Sequence, residues 1–525
     1  MKNRSKSKRL IFIISFLLLA LFLFARVHPA RSMGETQAAD GSYVSRYGDD
    51  GNPGTQSSPW RTIQFAVDQA EPDDTIYVRA GTYNESVALR QSGIEGNPIT
   101  LAAYNDEAVT INGGEAPAIT ALTEQWDGTQ YWIIEGFILV SNAEFTLELS
   151  DWTGFWSDHM IIRNNYIRGA AIVSGSYNLF EGNEVDGSQH KGNENGVQES
   201  LEISHHNVYR NNHIHHFSSR GIWSMHRTHD SIFEGNYIHH IENGNSYETG
   251  IDLDGFGTVV WRHILQSNHI HDVDYVAIAL ENTFDSIVEN NIIHDSRAGI
   301  IDINYGGEVG EGWGTDKRCE VGGENNQYGD TDGDNDCRGD LTGNIIRQNL
   351  IHNINVKEGI ALYWAGGVRL LGNTISTINA AGIYLNSAEY CPLIEIQGNI
   401  ISDFSRGAIN IQSVNSLEKD SNNLINNPKG DQDYYIADTW YSLYVYQNTT
   451  GKGKNSIKAN PLFVDPSNYD FYLQSYSPAI DAGIDVGLNA DIGGNPRPQG
   501  LGYDIGAREY VELIPVYLPT VLNGK

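Results

Sequence analysis

The chain has 525 residues, with 34 Lys+Arg against 66 Asp+Glu, a formal net charge of −32, 55 Gly, 15 Pro and 3 Cys. So few basic residues argue against a nucleic-acid surface, because phosphate binding rests on Lys and Arg. Acidity of this degree fits a solvated extracellular protein and leaves room for calcium; the length allows several domains or one long repeat unit.

At the N-terminus, Lys2, Arg4, Lys6, Lys8 and Arg9 precede an apolar run of 15 residues, Leu10 to Phe24. A basic stretch followed by a run too short to span a bilayer is a secretory signal. Cleavage would follow Ala30 or Ala38; the alternative is an uncleaved N-terminal anchor. Thr62–Ala70 then places Ile63, Ala66, Val67 and Ala70 on one helical face, and Pro72 ends it. A short amphipathic helix here would cover the open edge of the first coil.

Strand-like segments begin at Thr75 and become regular after Tyr131. An Asn stands two residues before an aliphatic at Asn165, Asn183, Asn212, Asn236, Asn268, Asn291, Asn349, Asn373 and Asn399. Their spacings are 18, 29, 24, 32, 23, 58, 24 and 26; the long one is a period plus an insertion, placed at residues 306–341. Short alternating segments recurring at this period predict an all-β parallel solenoid, each turn adding three strands. The Asn column would bond backbone at the same bend of successive coils. His215, His239, His271, His294 and His352 each follow a column Asn by three residues and should stack as well. Such a column can bind metal or move protons, or simply stack rings at a coil corner.

The insertion carries Cys319 and Cys337, which could close a loop, leaving Cys391 as a buried thiol. It also carries Asp330, Asp332, Asp334 and Asp336. Oxygen ligands at every second residue of a flexible loop suit Ca²⁺, although the pattern is not that of an EF-hand. After the last coils, near Ile425, a C-terminal segment and an apolar tail complete the chain. The expected organisation is a signal or anchor over 1–38, the solenoid over 39–455, a capping segment over 456–510 and the tail over 511–525.

The segments EGNYIHHI and VENNIIHDS, with GI-x-L stretches between them, resemble repeats of the pectin-lyase-like superfamily of right-handed parallel β-helices. Gly48–Glu85 resembles the start of secreted members, and Asn460–Tyr510 the so-called choice-of-anchor Q terminus. The resemblance implies a single-stranded right-handed parallel β-helix with a short N-terminal capping helix. It fixes no single reaction, since the superfamily holds lyases, hydrolases, epimerases and non-catalytic binders.

If each Gly-Ile-x-Leu-x segment buries its Ile and Leu, the x residues face solvent. The expected outward residues are Trp223 and Met225, Asp252 and Asp254, Ala279 and Glu281, then Asp302 and Asn304. Asp252, Asp254, Glu281 and Asp302 would cluster on consecutive coils. Like charges so close either bind a cation or hold a proton. Trp223, Tyr363, Trp364 and Tyr384 would flank them and stack on sugar faces.

In the first reading, favoured by the resemblance, these carboxylates hold Ca²⁺ for a lyase or epimerase acting on an acidic uronate polysaccharide. Its base would be Arg220, Arg297, Lys357 or a histidine such as His226; no Lys or Arg is expected on an outward position of the acidic coils. An inverting glycoside hydrolase is the second reading, and a non-catalytic glycan-binding or cell-surface protein the third. All three imply a secreted or cell-surface monomer with a polysaccharide partner, no nucleic acid, and membrane contact only through an N-terminal anchor.

Overall fold

Short strands with one apolar side cannot stand alone in water; stacked, they bury that side continuously. A computed structural model describes residues 41–121, 128–150, 157–189, 194–200, 204–244, 248–255, 259–304, 342–386 and 393–512. The chain separates into two units, Met1–Gly41 and Ser42–Lys525, and the second holds the whole repeat. The targeting segment, Cys319, Cys337, Cys391, the loop of Asp330, Asp332, Asp334 and Asp336, and the tail from residue 513 lie outside the described residues.

The repeat winds as a parallel β-helix. One face is a 14-stranded sheet running from Ser42–Val44 to Leu417–Ser421. The other strands join in a 26-stranded sheet that follows two tracks. One runs through Glu184–Asp186, His213–Phe217 and Tyr237–Ile241; the other through Asn195–Glu199, Arg220–Met225 and Thr249–Asp254. The tracks merge where His269–Glu281 and Ile292–Ile303 run through both without a break. Neighbouring coils hold an inward residue in register, so aliphatic and aromatic side chains form files. Along the first face one file runs Ile134, Ile162, Phe180, Tyr209, Phe233, Leu265, Val288, Ile346, Leu370 and Ile396, every member buried.

The asparagine column is an internal ladder. Along it from Asn165 to Asn423, each side-chain oxygen after the first accepts both the backbone N–H and the Nδ2–H of the preceding member, at 2.9–3.2 Å. The residue before a member turns the chain with a left-handed φ, as at Asn164, Asn211 and Asn290, where a short polar side chain tolerates that conformation. A second ladder of mixed residue types runs beside it: Asn178, Asn207, Ser231, His263, Ser286 and Asn344 each accept a backbone N–H from the coil before.

The capping helix spans Ile63–Asp68, with Thr62 Oγ1 accepting the Phe65 N–H at 3.3 Å. The Glu85 carboxylate takes the N–H groups of Ile63 and Gln64, each at 3.0 Å, so its first turn is satisfied. At the other end the coils continue past Ile425: Tyr434–Ile436 pairs with Ile409–Ile411, and Ile457–Lys458 with Leu424–Ile425. Beyond them a hairpin, Phe463–Asp465 with Asp470–Leu473, packs Phe463, Phe471 and Leu473 on Leu350, Ile400 and Leu424. This segment therefore lies along the flank of the coils. The buried Arg497 anchors it, reaching Gln348 Oε1 at 2.5 Å and Glu509 Oε1 at 2.8 Å.

Candidate active site

The site follows from register. Trp223, Asp252, Ala279, Ile301, Ala361 and Tyr384 form one outward file; Met225, Asp254, Glu281, Ile303 and Tyr363 form the next. Ala279, Ile301 and Ala361 cluster as an apolar floor, with Ile303, Tyr363 and Tyr384 packed against it. Trp223 and Tyr384 are five coils apart, about 24 Å at ordinary strand spacing. Carboxylates fill one end of this trough and tyrosines the other. Tyr363 packs against Tyr384 with ring centroids 5.6 Å apart, and against Trp364 at 6.3 Å.

At the acidic end Arg220 is the organising group. Its Nε donates to Asp252 Oδ2 at 2.5 Å, and its guanidinium lies 4.3 Å from the Trp223 ring centre. Trp223 Nε1 donates to Asp254 Oδ2 at 3.1 Å. Asp252 is only 2% exposed, and its Oδ1 has no hydrogen-bond partner.

Arg220 reaches this face against expectation, because strict alternation from Trp223 turns it inward. Alternation breaks at Gly221. A Cβ there would sit 2.6 Å from both Gly250 O and Ile238 Cγ2, so no larger residue fits; Gly221 and Ile222 are both buried, and Arg220 before them is partly exposed. Gln198, also unforeseen, precedes Trp223 in the first file; it is buried and its Oε1 has no partner. Behind the face, Glu199 is fully buried and accepts from Asn207 Nδ2, Ser224 Oγ and Ser231 Oγ at 2.6–2.7 Å. Burial pushes its carboxyl up, and these three donors work the other way.

Burial raises Asp252 to about 6, with Arg220 opposing and Asp254 adding to the rise. Burial works to lower Arg220, but Asp252, with Asp254 and Glu281 beyond it, raises it overall. The pair is therefore ionised at neutral pH. Glu281 is pushed up to about 9, first by burial and then by the charges of Asp252 and Asp254, with Arg220 only partly offsetting them. It keeps its proton at pH 7.

Not every expected member belongs to the face. Asp302 is in register with Leu280, not with Ala279 or Glu281; the outward places on its coil go to Ile301 and Ile303. That is the place Leu253 and Leu280 hold on the coils before, the inward side of the strand. Asp302 is accordingly fully buried, accepts from Asn344 Nδ2 at 2.9 Å and is raised to about 7 by burial. His226 joins the cluster by its backbone, its N–H donating to Asp254 O at 3.3 Å, with a left-handed φ of 58°.

The four carboxylates expected to hold calcium do not share one face: Asp302 points inward, and Asp252 is already paired with Arg220.

The Glu281 proton gives a stability test. The carboxyl rises from 4.5 to about 9 on folding. Between those values the folded state holds a proton that the unfolded state releases, so the group's contribution is full below about 4.5 and lost as pH rises through about 9. Glu281→Gln should therefore melt higher than the wild type at pH 8, by about 2 °C or more, with the gap closing toward pH 5. A gap independent of pH in differential scanning calorimetry would contradict the assignment.

Residues 42–291 match the family model described as the Pel9A-like right-handed β-helix region, and residues 315–450 that of the right-handed β-helix region. The cluster from Arg220 to Glu281 falls within the first. Pectate lyase PEL9 of Emericella nidulans is 33% identical over 172 residues, 30% of this chain and 40% of that protein. The uncharacterized protein YwoF of Bacillus subtilis is 32% identical over 165 residues, 30% of this chain and 35% of that one. The alignments thus span less than half the length of either relative. The structure of XylC with xylose aligns with 90% of this chain and 99% of that one, at 10% identity and a TM-score of 0.47; a likeness so distant bears on no activity. The protein is a right-handed parallel β-helix whose residues 42–291 match the Pel9A-like model.

Proposed function

We propose that the protein is an exported polysaccharide lyase acting on a uronate-containing polymer, with Asp254, Glu281, Arg220 and Asp252 as its reacting face. One observation carries the reading. Glu281, in register with Asp254, stands beside a buried Arg220–Asp252 pair, at one end of an aromatic-lined trough in the Pel9A-like region. The relative named pectate lyase PEL9 supports the substrate class. So does Lys357, whose Nζ lies 3.2 Å from the hydroxyl of Tyr275, a ring packed against the apolar floor. A cationic border suits an anionic chain.

In β-elimination a base removes the proton on the carbon next to the uronate carboxylate. The bond to the glycosidic oxygen breaks, a carbon–carbon double bond forms, and the leaving oxygen takes a proton. Arg220, held protonated by Asp252, serves as the positive charge near the substrate carboxylate and not as the base. Glu281 supplies the leaving-group proton. Asp254, oriented by Trp223, accepts the carbon proton. Trp223, Tyr363, Trp364 and Tyr384 carry the sugar rings. Calcium belongs to this proposal only at the loop of Asp330, Asp332, Asp334 and Asp336, as a structural ion. Export by residues 1–38, a choice-of-anchor Q-like C-terminal segment over 456–510 and a monomeric state also belong to it.

A second reading, glycoside hydrolysis, is favoured by the same acid beside a carboxylate. Asp254 and Glu281 are register partners on adjacent coils, about 4.8 Å by strand spacing. That is nearer the separation of retaining than of inverting enzymes. Incubation with a panel of uronate polymers separates the readings. A lyase raises ultraviolet absorbance and reducing ends together, and a hydrolase raises reducing ends alone. Excess chelator should leave the initial rate intact; abolition of turnover would return calcium to the reacting face.

A further inference from the structure

The histidine column stacks as its spacing predicts: His215, His239, His271, His294 and His352 follow one another with ring centroids 4.8–5.2 Å apart and planes within 14°. At its first coil the column meets carboxylates. Glu184 is in register with His213, and Asp186 with His215, so parallel pairing brings two imidazoles and a carboxylate onto one outward patch.

We propose that Glu184, His213 and His215 form a binding site for a divalent transition metal of the zinc class, on a strand track apart from the acidic trough and independent of the lyase reading. One ligand atom from each of the three lies within 4.8 Å of the other two. His215 Nε2 and Glu184 Oε1 are 3.4 Å apart, close to the roughly 3.3 Å between two ligands of a tetrahedral zinc ion with bonds of about 2.0–2.1 Å. Two imidazoles and a carboxylate are the donor types that zinc, cobalt and nickel share. The other nitrogen of His215, Nδ1, lies 2.6 Å from His216 Nδ1 and 3.5 Å from Asp186 Oδ1, outer partners of the kind that orient a ligating histidine. Tyr166 in turn donates to Asp186 Oδ2 at 2.8 Å. The Glu184 side chain is 46% exposed, which leaves an approach for the ion and an open position for water.

Two other sets have similar spacing among the described residues and suit a metal less well. In His206, His229 and Asp230, the carboxylate is already held by Arg262 at 2.6 and 2.7 Å. In Asp186, His215 and His216, Asp186 already accepts from Tyr166 and from the Ser188 N–H.

The test is titration of the full chain, purified without a polyhistidine tag and stripped by chelator. Zn²⁺ is followed by calorimetry and Co²⁺ by its visible ligand-field absorption. One tight equivalent is expected, with intense cobalt bands of tetrahedral type. His213→Ala and Glu184→Gln should each weaken it at least about tenfold, while Asp230→Asn leaves it unchanged. Glu184→Gln keeps the shape of a half-exposed side chain, and unchanged melting shows the fold is kept. Binding indifferent to Glu184→Gln and His213→Ala, or lost in Asp230→Asn, overturns the proposal.

Discussion

Replacing Asn268 by Leu should cost about 4 kcal/mol of stability. Asn268 Oδ1 accepts from Asn236 N and Asn236 Nδ2, each at 3.0 Å, and its Nδ2 donates to Phe233 O and Asn291 Oδ1, each at 2.9 Å. Leucine keeps the branching of asparagine and is larger, so no cavity opens. What remains is a backbone N–H, an amide N–H and a carbonyl, all stranded in a dry interior where Asn268 is 1% exposed. Each orphan carries a desolvation cost of about 1–3 kcal/mol. The coils are stacked units that support only their neighbours, so the loss should appear as a lower denaturant midpoint. A loss under about 1 kcal/mol in urea unfolding would mean that the ladder is ornament to a stack held by its aliphatic files.

Arg220→Ala should abolish turnover, by about 100-fold or more in kcat/KM, and cost about 3 kcal/mol of stability. Removing the guanidinium leaves Asp252 buried at 2% exposure with neither oxygen bonded. The carboxyl then escapes its charge only by taking a proton. The two losses are separable. Arg220→Met combined with Asp252→Leu removes both charges and should recover most of the stability while leaving the protein inactive. If the double variant is active, the pair is structural and Glu281 acts without it.

Much of the fold is legible in the sequence because it depends on a repeated residue. The Asn column can be read at nine positions, since one side chain performs one task at each bend, and the histidines three residues on carry the same phase. The second ladder is not legible. Asn178, Asn207, Ser231, His263, Ser286 and Asn344 do the same work with three residue types, because any small acceptor near that bend suffices.

The acidic cluster is partly legible. Asp252, Asp254 and Glu281 stand outward as expected, but Asp302 keeps register with Leu253 and Leu280 and so takes the inward place that leucine holds on the coils before. Arg220 is legible as a candidate base but not as an outward residue, because two consecutive buried residues, Gly221 and Ile222, break the alternation that would turn it inward. Sequence period locates a face; register and local breaks in alternation decide which charges share it.

Whether that face cleaves a uronate polymer is decided most directly by following ultraviolet absorbance and reducing ends together, for wild type and Glu281→Gln at pH 8. Wild type should raise both signals on at least one uronate polymer. Glu281→Gln, folded and melting higher than wild type at that pH, should raise neither. No absorbance rise from the wild type on any uronate polymer, or an unchanged rate in Glu281→Gln, would contradict the lyase assignment.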